Sequence, residues 1–356
     1  MTKEKLLSIK IEKPDENIKL LAKKKWDALA KPIDGLGTFE DAVCRIAAIK
    51  GSTDFDLSKK GLIIMCADNG IVSEGVSQTG KEVTYEVAAL MGRKKSSVGI
   101  MLKDYPAEVM TVDIGIDSDD TPEGARDKKV ARGTRNFLHG PAMNSEEAIK
   151  AIEAGIDCVK EFKDKGISII ATGEMGIGNT TTSSALLSIL TGLDVKQCTG
   201  RGAGLSDEGL TRKVEVITEA LEYHFPDGLT DAFDALCKVG GLDIAGLTGV
   251  FIGGALYKMP VVVDGFISMV SALIADRLLP GCRDYMIASH LGKEIGMKVL
   301  SEELDLHPVI HANLALGEGT GAVMMFPLLD MAMSMYMSGT NFSDTPIKEY
   351  ERFDDK

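Results

Sequence analysis

The chain has 356 residues, of which 44% are hydrophobic and 26% charged, proportions typical of a globular protein with a large core. Acidic residues outnumber basic ones by 53 to 40, so the chain lacks the excess of lysine and arginine that binds nucleic acid. Six scattered cysteines form no C-x-x-C pair, which argues against a disulfide framework and a zinc site. No apolar run has the length of a signal peptide or a membrane span, so we expect a cytoplasmic protein.

The predicted elements alternate along the chain. The first 35 residues are rich in lysine and glutamate and predict a helix outside the main sheet. Apolar runs of strand length follow at 61–68, 107–116, 167–173, 250–256, 259–265 and 284–290, separated by segments with helical spacing. The fourth run, VFIGGAL, is also compatible with a helix. Strands that are apolar throughout and alternate with helices predict an α/β fold with a parallel sheet covered on both faces.

Polar residues follow several of these runs, at the positions where ligands bind in open α/β sheets. The turns are Asp68-Asn69-Gly70, Asp113-Ile114-Gly115, Gly173-Glu174-Met175-Gly176, Asp264-Gly265 and Ser289-His290. Together they predict a binding cleft at the carboxyl edge of the sheet. His290 is the one histidine that we consider a candidate for ligand contact, because it stands at a strand end.

The stretch TGEMGIGNTTTSSALL follows the third run. It can present consecutive backbone N–H groups at the start of a helix, which is one way to bind a phosphate without lysine. It is not a Walker A loop, because the G-K-[S/T] ending is missing, and Thr181 replaces the third glycine of a dinucleotide-binding fingerprint. A purely structural turn, with threonines capping a helix, stays open as an alternative.

Two further glycine-rich turns contain candidate site residues. GRGAGLSDEG (200–209) precedes a helix whose N-cap is Ser206 or Asp207, and Lys213 on that helix either reaches a phosphate or lies in solvent. LGEGTGAV (316–323) places Glu318 between two glycines, where a carboxylate serves as a helix-start acid or as a base.

Taken together, these motifs resemble one enzyme family. GEMGIGNTTTSSAL, GRGAGLSDEGLTRK, GTRNFLHGPAM, KMPVVVDGFI and LGEGTGAVMMFPLLD, with ADNGIVSEGVSQTGKEVT upstream, are similar to motifs of the nicotinate-nucleotide:dimethylbenzimidazole phosphoribosyltransferases. The similarity covers nearly the whole chain. It implies transfer of the 5-phosphoribosyl group from nicotinate mononucleotide to 5,6-dimethylbenzimidazole or a related base, in cobalamin (vitamin B12) biosynthesis. The family's reaction is a direct displacement that needs neither a metal nor a cofactor.

The resemblance also implies roles for individual residues. Glu318 matches the general base, which removes a proton from the attacking ring system, and Glu174 matches a supporting carboxylate. Lys81 stands where many relatives have glutamine, so it puts the identity of the accepted base in question. Contacts to phosphate and ribose are implied for Gly176, Gly178, Asn179, Thr180, Gly202, Gly204 and Lys213, and contacts to the base for Ser73, Lys81 and Met175.

The family's fold is a Rossmann-like parallel sheet flanked by helices, with a small helical domain formed by both chain ends, in a homodimer. The corresponding boundaries are 1–35 for the N-terminal helical part, 36–300 for the α/β domain, and 301–356 for the C-terminal segment with the GEGTG motif. Two alternatives stay open: a non-catalytic sensor that binds nicotinate mononucleotide, and a dinucleotide-dependent oxidoreductase. The missing third glycine of the dinucleotide-binding fingerprint argues against the oxidoreductase.

Overall fold

A computed structural model of the chain describes residues 1–229 and 231–352. Its strands form one sheet in which every pairing is parallel. They are β1 (Lys60–Ala67), β2 (Glu108–Gly115), β3 (Arg126–Asp127), β4 (Ile169–Met175), β5 (Val261–Val263) and β6 (Met286–Ala288). Their order across the sheet is β3-β2-β1-β4-β5-β6, so β1 and β4 are the central pair. The predicted α/β fold with a parallel sheet is confirmed.

Helices connect the strands and cover the sheet. None of them, within the described ranges, is both long and apolar enough to cross a membrane. They are α1 (Lys3–Leu7), α2 (Glu16–Asp27), α3 (Thr38–Lys50), α4 (Glu82–Gly92), α5 (Ser97–Met101), α6 (Ser145–Asp164), α7 (Asn179–Thr191), α8 (Val195–Cys198), α9 (Asp207–His224), α10 (Ala232–Val239), α11 (Leu242–Leu256), α12 (Phe266–Leu278), α13 (Met297–Leu304) and α14 (Thr320–Ser338).

The strand β1 shows why its sequence is apolar throughout. Ile63 and Met65 belong to one hydrophobic cluster, whereas Leu62 and Ile64 belong to another, and all four side chains are fully buried. Successive residues of a strand point to opposite faces, so a sheet covered on both faces buries every position. The continuous apolar run is therefore a direct consequence of the two helical layers.

The segment 250–256, for which strand and helix were both open, is helical. It forms the second half of α11, and residues on all sides of this helix are buried. The helix packs against α6, α12 and the central strands. A helix that is enclosed in this way needs no polar face, so its sequence shows no amphipathic period.

The two chain ends meet in a helical layer on one face of the sheet. The rings of Trp26 and Tyr336 lie 5.1 Å apart, and the Ala30 amide donates a 2.8 Å hydrogen bond to the Thr340 carbonyl oxygen. The cluster that contains both rings also contains Leu62 of β1, so this layer shares its core with the sheet. The boundaries at residues 35 and 300 stay a prediction.

The helices α6 and α11 pack backbone against backbone. A Cβ atom on Gly155 would overlap the carbonyl oxygen of Gly246, and one on Gly249 would overlap that of Ile152. The crossing therefore depends on glycine. It also fixes the position of α11, whose first turn lies at the carboxyl edge of the sheet.

We expect Gly155→Ala to destabilise the protein, because a methyl group fits only if α6 and α11 move apart. Overpacking of this kind costs about 1–3 kcal/mol, which outweighs the ~1 kcal/mol that alanine gains over glycine inside a helix. Gly140→Ala is the control, since a Cβ there meets no atom within 4 Å. Urea unfolding measures both variants, and equal midpoints would contradict the close contact of the helices.

Candidate active site

A cleft of about 240 Å³ opens at the carboxyl edge of the sheet. The strand order reverses direction between β1 and β4, and this is the point at which ligands bind in open α/β sheets. Three long helices, α7, α12 and α14, begin at the cleft, where Thr180, Phe266 and Thr320 line it. Because helix N-termini present free N–H groups and partial positive charge, the cleft suits an anionic ligand.

Most of the candidate residues converge on this cleft. Its walls include both predicted carboxylates, part of the predicted phosphate turn and the strand-end histidine. The candidates that line it are Glu174, Met175, Gly176, Asn179, Thr180, Gly202, His290 and Glu318.

Glu318 lies just before α14 and is half-buried. Its carboxylate accepts hydrogen bonds from the Ser97 hydroxyl at 3.1 Å and from the Val98 amide at 3.2 Å. These donors come from the start of α5, so the orientation of the carboxylate is set by a helix distant in sequence. Its other surface faces the cleft.

The glycines on both sides of Glu318 allow this position. Gly317 and Gly319 have φ values of +84° and +88°, which favour glycine, and Glu318 itself has a φ of +61°. A Cβ on Gly317 would lie 2.5 Å from a carboxylate oxygen of Glu174. A Cβ on Gly173 would lie 2.6 Å from the carbonyl oxygen of Glu318. The G-E-G spacing thus brings the two glutamates into one site.

Glu174 lies near the end of β4 and is buried. The Asn179 amide donates hydrogen bonds to Glu174 and, at 3.1 Å, to Asp243. Burial raises the pKa of Glu174 to about 8, against the effect of the Asn179 hydrogen bond. Negative charges on Asp243, Asp264 and Glu318 add to this increase.

Two more buried carboxylates belong to this site. Asp264 accepts hydrogen bonds from the amides of Gly319 at 3.2 Å and Ala322 at 2.9 Å, so it caps α14 directly after Glu318. Asp243, in the first turn of α11, was not predicted. The signal that could have found it is a single acid inside the otherwise apolar stretch GGLDIAGL. Burial raises the pKa of Asp243 to about 6.

His290 lies behind Asp264 and lines the cleft. Its Nδ1 atom is 3.0 Å from the Ser289 hydroxyl and 4.0 Å from Asp264 Oδ1. A Cβ on Gly321 would overlap the imidazole ring. The histidine therefore packs under the first turn of α14 and supports the segment that carries Glu318.

Lys213 is fully buried, so the alternative that its side chain lies in solvent is excluded. Its ammonium group donates hydrogen bonds to Thr180 Oγ1 at 2.9 Å and to the Gly200 carbonyl oxygen at 3.2 Å. Burial lowers its pKa to about 8, and the charge of Glu294 opposes this decrease. Among the described residues no carboxylate forms a salt bridge with Lys213. Its ammonium group can therefore bind an anion at the start of α7.

Gly178 and Gly204 shape their turns and do not line the cleft. Gly178 has a φ of +92°, and a Cβ there would lie 2.6 Å from the Val72 side chain. Gly204 has a φ of +101°, and its carbonyl oxygen accepts a hydrogen bond from Gln78. Contacts of these two glycines with a ligand stay a prediction.

Ser73 and Lys81 lie in a second cavity of about 370 Å³, at the carboxyl end of β1. The side chain of Lys81 is 61% exposed and forms an ion pair with Asp117, and Ser73 accepts a 3.0 Å hydrogen bond from Asn136. The structure therefore does not bring these two candidates into the cleft beside Met175. Their contact with a base stays a prediction.

The arrangement brings opposite charges to one cleft. The carboxylates of Glu174, Asp264, Glu294 and Glu318 line the cleft, where they can stabilise a cation and accept a proton. The buried ammonium of Lys213 lies behind the wall, where it donates to Thr180. Among the described residues, one group of acidic side chains is compact enough to share a metal ion: Asp27, Asp34 and Glu40. It lies outside the cleft and is paired with Lys23 and Arg352.

Comparisons with known proteins agree with this site. A family model described as Phosphoribosyltransferase matches residues 11–347. The nicotinate-nucleotide–dimethylbenzimidazole phosphoribosyltransferase of Clostridium acetobutylicum is 43% identical over 95% of this chain and 96% of its own length. The protein of the same name from Geobacter sulfurreducens is 42% identical over 94% of this chain and 95% of its own length.

The crystal structure of CobT from Thermus thermophilus matches with a TM-score of 0.88 and 34% sequence identity. The match covers 94% of this chain and 100% of that one. The resemblance of the motifs is thereby confirmed. The chain belongs to the nicotinate-nucleotide:dimethylbenzimidazole phosphoribosyltransferase family.

Proposed function

We propose that the protein transfers the 5-phosphoribosyl group of nicotinate mononucleotide to 5,6-dimethylbenzimidazole or a related base. The products are nicotinate and α-ribazole 5′-phosphate, an intermediate of cobalamin biosynthesis. The observation that carries this proposal is that one cleft combines the carboxylates of Glu174 and Glu318 with the buried ammonium of Lys213, which donates a hydrogen bond to Thr180 in the cleft wall. A nucleotide with a cationic pyridinium ring and an anionic phosphate has the complementary distribution. The sensor and oxidoreductase alternatives are not favoured by the relatives.

The phosphate binds between Lys213, Thr180 and the first turn of α7. The Lys213 ammonium supplies a formal charge, and the N–H groups of the helix supply directed donors. Gly202 leaves room at this point, because a Cβ there would lie 2.8 Å from the Thr180 hydroxyl. Binding at this end places the ribose toward the carboxylates.

The reaction breaks the bond between the ribose C1 atom and the pyridinium nitrogen. The electron pair of that bond stays on the nitrogen, so nicotinate leaves without needing a proton. A ring nitrogen of the incoming base donates its lone pair to C1 from the opposite face, which converts a β-linked nucleotide into an α-linked product. Positive charge develops on the ribosyl group, and the carboxylate of Glu174 stabilises it.

Glu318 completes the reaction by taking the proton from the second ring nitrogen of the incoming base. The hydrogen bonds from Ser97 and Val98 hold its carboxylate in place. The proton moves to a carboxylate oxygen and the ring nitrogen keeps the electron pair. The benzimidazole ring of the product is therefore neutral.

We also propose that the protein is a homodimer. The outward face of α14 carries Met324, Leu328, Met331 and Met335 at helical spacing, and Met331 is 63% exposed. Ile100 on α5, which packs against α14, is 65% exposed. An apolar face of this kind suits a second copy, and Leu316, 58% exposed beside Glu318, would then lie under the partner.

Glu318→Gln should lower turnover by about 10²-fold or more, because the amide keeps the size of the side chain but cannot take a proton. Its oxygen can still accept from the Val98 amide, while its NH2 group donates to the Ser97 hydroxyl. Chromatography of free nicotinate, with and without dimethylbenzimidazole, measures the reaction. Ser97→Ala is the control: it keeps the carboxylate and should retain most activity. Turnover close to that of the wild type in Glu318→Gln would exclude this residue as the base.

Lys213→Met should weaken the binding of nicotinate mononucleotide by roughly tenfold or more, since a charge-assisted hydrogen bond contributes about 1.5–3 kcal/mol. In the wild type the affinity should fall as the pH rises through about 8, where the free lysine loses its proton. The variant should lack this pH dependence. Titration calorimetry measures both, with Lys298→Met as an exposed control. A variant with wild-type affinity and wild-type pH dependence would remove Lys213 from the phosphate site.

Met331→Glu should convert the dimer to a monomer, because it places a charge in the centre of the apolar face of α14. Size-exclusion chromatography with light scattering determines the mass of both proteins. Lys298→Glu, on the exposed side of α13, serves as the control for added negative charge. A wild-type protein that elutes as a monomer at micromolar concentration would contradict the proposed dimer.

A further inference from the structure

The carboxylate of Asp243 has no role in the reaction described above, although it belongs to the same buried network. The side chain is fully buried in the first turn of α11 and does not line the cleft. One oxygen accepts a 3.0 Å hydrogen bond from the Ile244 amide, and the other accepts a 3.1 Å hydrogen bond from Asn179. Asn179, which lines the cleft, therefore connects Asp243 to the site, and Asn69 is a second side-chain partner of Asp243.

The surroundings of Asp243 leave room for a carboxylate and for little else. A Cβ on Gly176 would lie 2.6 Å from one carboxylate oxygen, and a Cβ on Gly241 would overlap the other. The side chain is thus enclosed between two glycines. Gly176 belongs to the GEMGIGN turn, so the enclosure is part of the turn that forms the cleft.

The burial of this carboxylate is not offset by an ion pair. Within the described part of the chain, no lysine, arginine or histidine forms a salt bridge with Asp243. Burying a carboxylate without a cation is strongly unfavourable, because the lost hydration is not replaced by an opposite charge. Buried Glu40 shows the contrast, because it is paired with Lys31 at 2.7 Å and with Lys23 at 3.2 Å.

Asn179 links Asp243 to the reacting centre. Its amide nitrogen donates to both Asp243 and Glu174. A flipped amide would point its oxygen at two carboxylates, so Asp243 permits only one orientation of Asn179. That orientation presents an N–H group to Glu174.

We propose that Asp243 is a positioning residue, which acts through Asn179 to hold Glu174 in place and to keep a negative charge behind it. The inference rests on the proposed transfer reaction, in which the ionised form of Glu174 stabilises the ribosyl cation. It adds a third carboxylate to the two that the motifs identify. Asp243 itself does not touch the substrate.

The charge of Asp243 also affects the pH at which Glu174 ionises. The other titratable groups around Glu174 are the carboxylates of Asp264 and Glu318 and the Cys66 thiol on β1. His290 lies behind Asp264, and the carboxylate of Glu294 lines the same cleft. Burial and the neighbouring negative charges raise the pKa of Glu174. Below this pKa the group is protonated, so activity that needs the ionised form rises with pH. Removing the charge of Asp243 must lower the pKa and move this acid limb to lower pH.

Asp243→Asn is the direct test, since it keeps the size of the side chain and removes its charge. We expect kcat to fall by roughly 10-fold to 100-fold. This range is taken by analogy from metal sites, where residues that hydrogen-bond to a ligand and orient it have effects of this size. The acid limb of the kcat–pH profile should shift to lower pH, and the melting temperature should stay the same or rise. Asp113→Asn is the matched control, because Asp113 is also fully buried but is paired with Lys129 at 3.2 Å. It should leave the acid limb unchanged.

A double-mutant cycle with Asn179→Ala keeps the inference testable if one variant folds poorly. Because the positioning effect of Asp243 acts through Asn179, the double variant should have the kcat of Asn179→Ala alone at a pH above the acid limb, where Glu174 is ionised in both. Additive losses, or an Asp243→Asn variant with the wild-type pH profile, would overturn the inference.

A spectroscopic measurement separates this inference from the transfer reaction. Difference infrared spectroscopy of the ligand-free protein follows the protonated carboxyl band of Glu174, assigned by its loss in Glu174→Gln. We expect this band to titrate at lower pH in Asp243→Asn than in the wild type. An unchanged titration would refute the role of Asp243 even in an active enzyme. A wild type that releases no nicotinate refutes the transfer reaction but leaves the shift in titration intact.

Discussion

The burial of negative charge at one edge of the sheet is the constraint on which this structure depends. Glu174, Asp243 and Asp264 are all removed from water at the carboxyl ends of β4 and β5. Such charges are tolerable only where N–H groups replace the lost water. The donors come from the first turns of α11 and α14 and from the Asn179 side chain at the start of α7. The convergence of helix N-termini at this edge therefore makes the acidic cluster possible.

Buried carboxylates outside the cleft and in the cleft differ in whether they are paired with a cation. Glu40, buried between α2 and α3, is neutralised by two lysines, and its neighbourhood forms a closed ion-pair network. Among the described residues no lysine or arginine forms a salt bridge with Glu174, Glu318 or Asp264, and Asp264 faces only the His290 imidazole, at 4.0 Å. No carboxylate of the described residues lies within salt-bridge distance of Lys213. A nucleotide with a cationic pyridinium ring and an anionic phosphate carries charges that complement both groups.

Close backbone contacts give the site its rigidity. Gly173 of β4 faces the carbonyl oxygen of Glu318, and Gly317 faces the carboxylate of Glu174. A loop that touches a central strand without intervening side chains has little freedom to shift. The segment that carries the proposed base is thus fixed to the sheet on one side and, through Asp264, to the first turn of α14 on the other. Placement of this kind is what proton transfer at a fixed distance requires.

The amino-acid pattern was sufficient to predict the parallel α/β fold and the location of the cleft. Strands that are apolar at every position exist only where both faces of a sheet are covered, and polar turns after such strands must meet at one edge. Glu174 and Glu318 were predictable because each stands among glycines in a motif of a known family. That residues 250–256 form a helix became clear only from the folded structure, since an enclosed helix and an enclosed strand have the same apolar composition. The folded structure alone showed that Lys213 is buried, that Ser73 and Lys81 lie in a separate cavity, and that Asp243 joins the site through Asn179. These properties depend on contacts between residues far apart in the chain, and neither periodicity nor local spacing encodes such contacts.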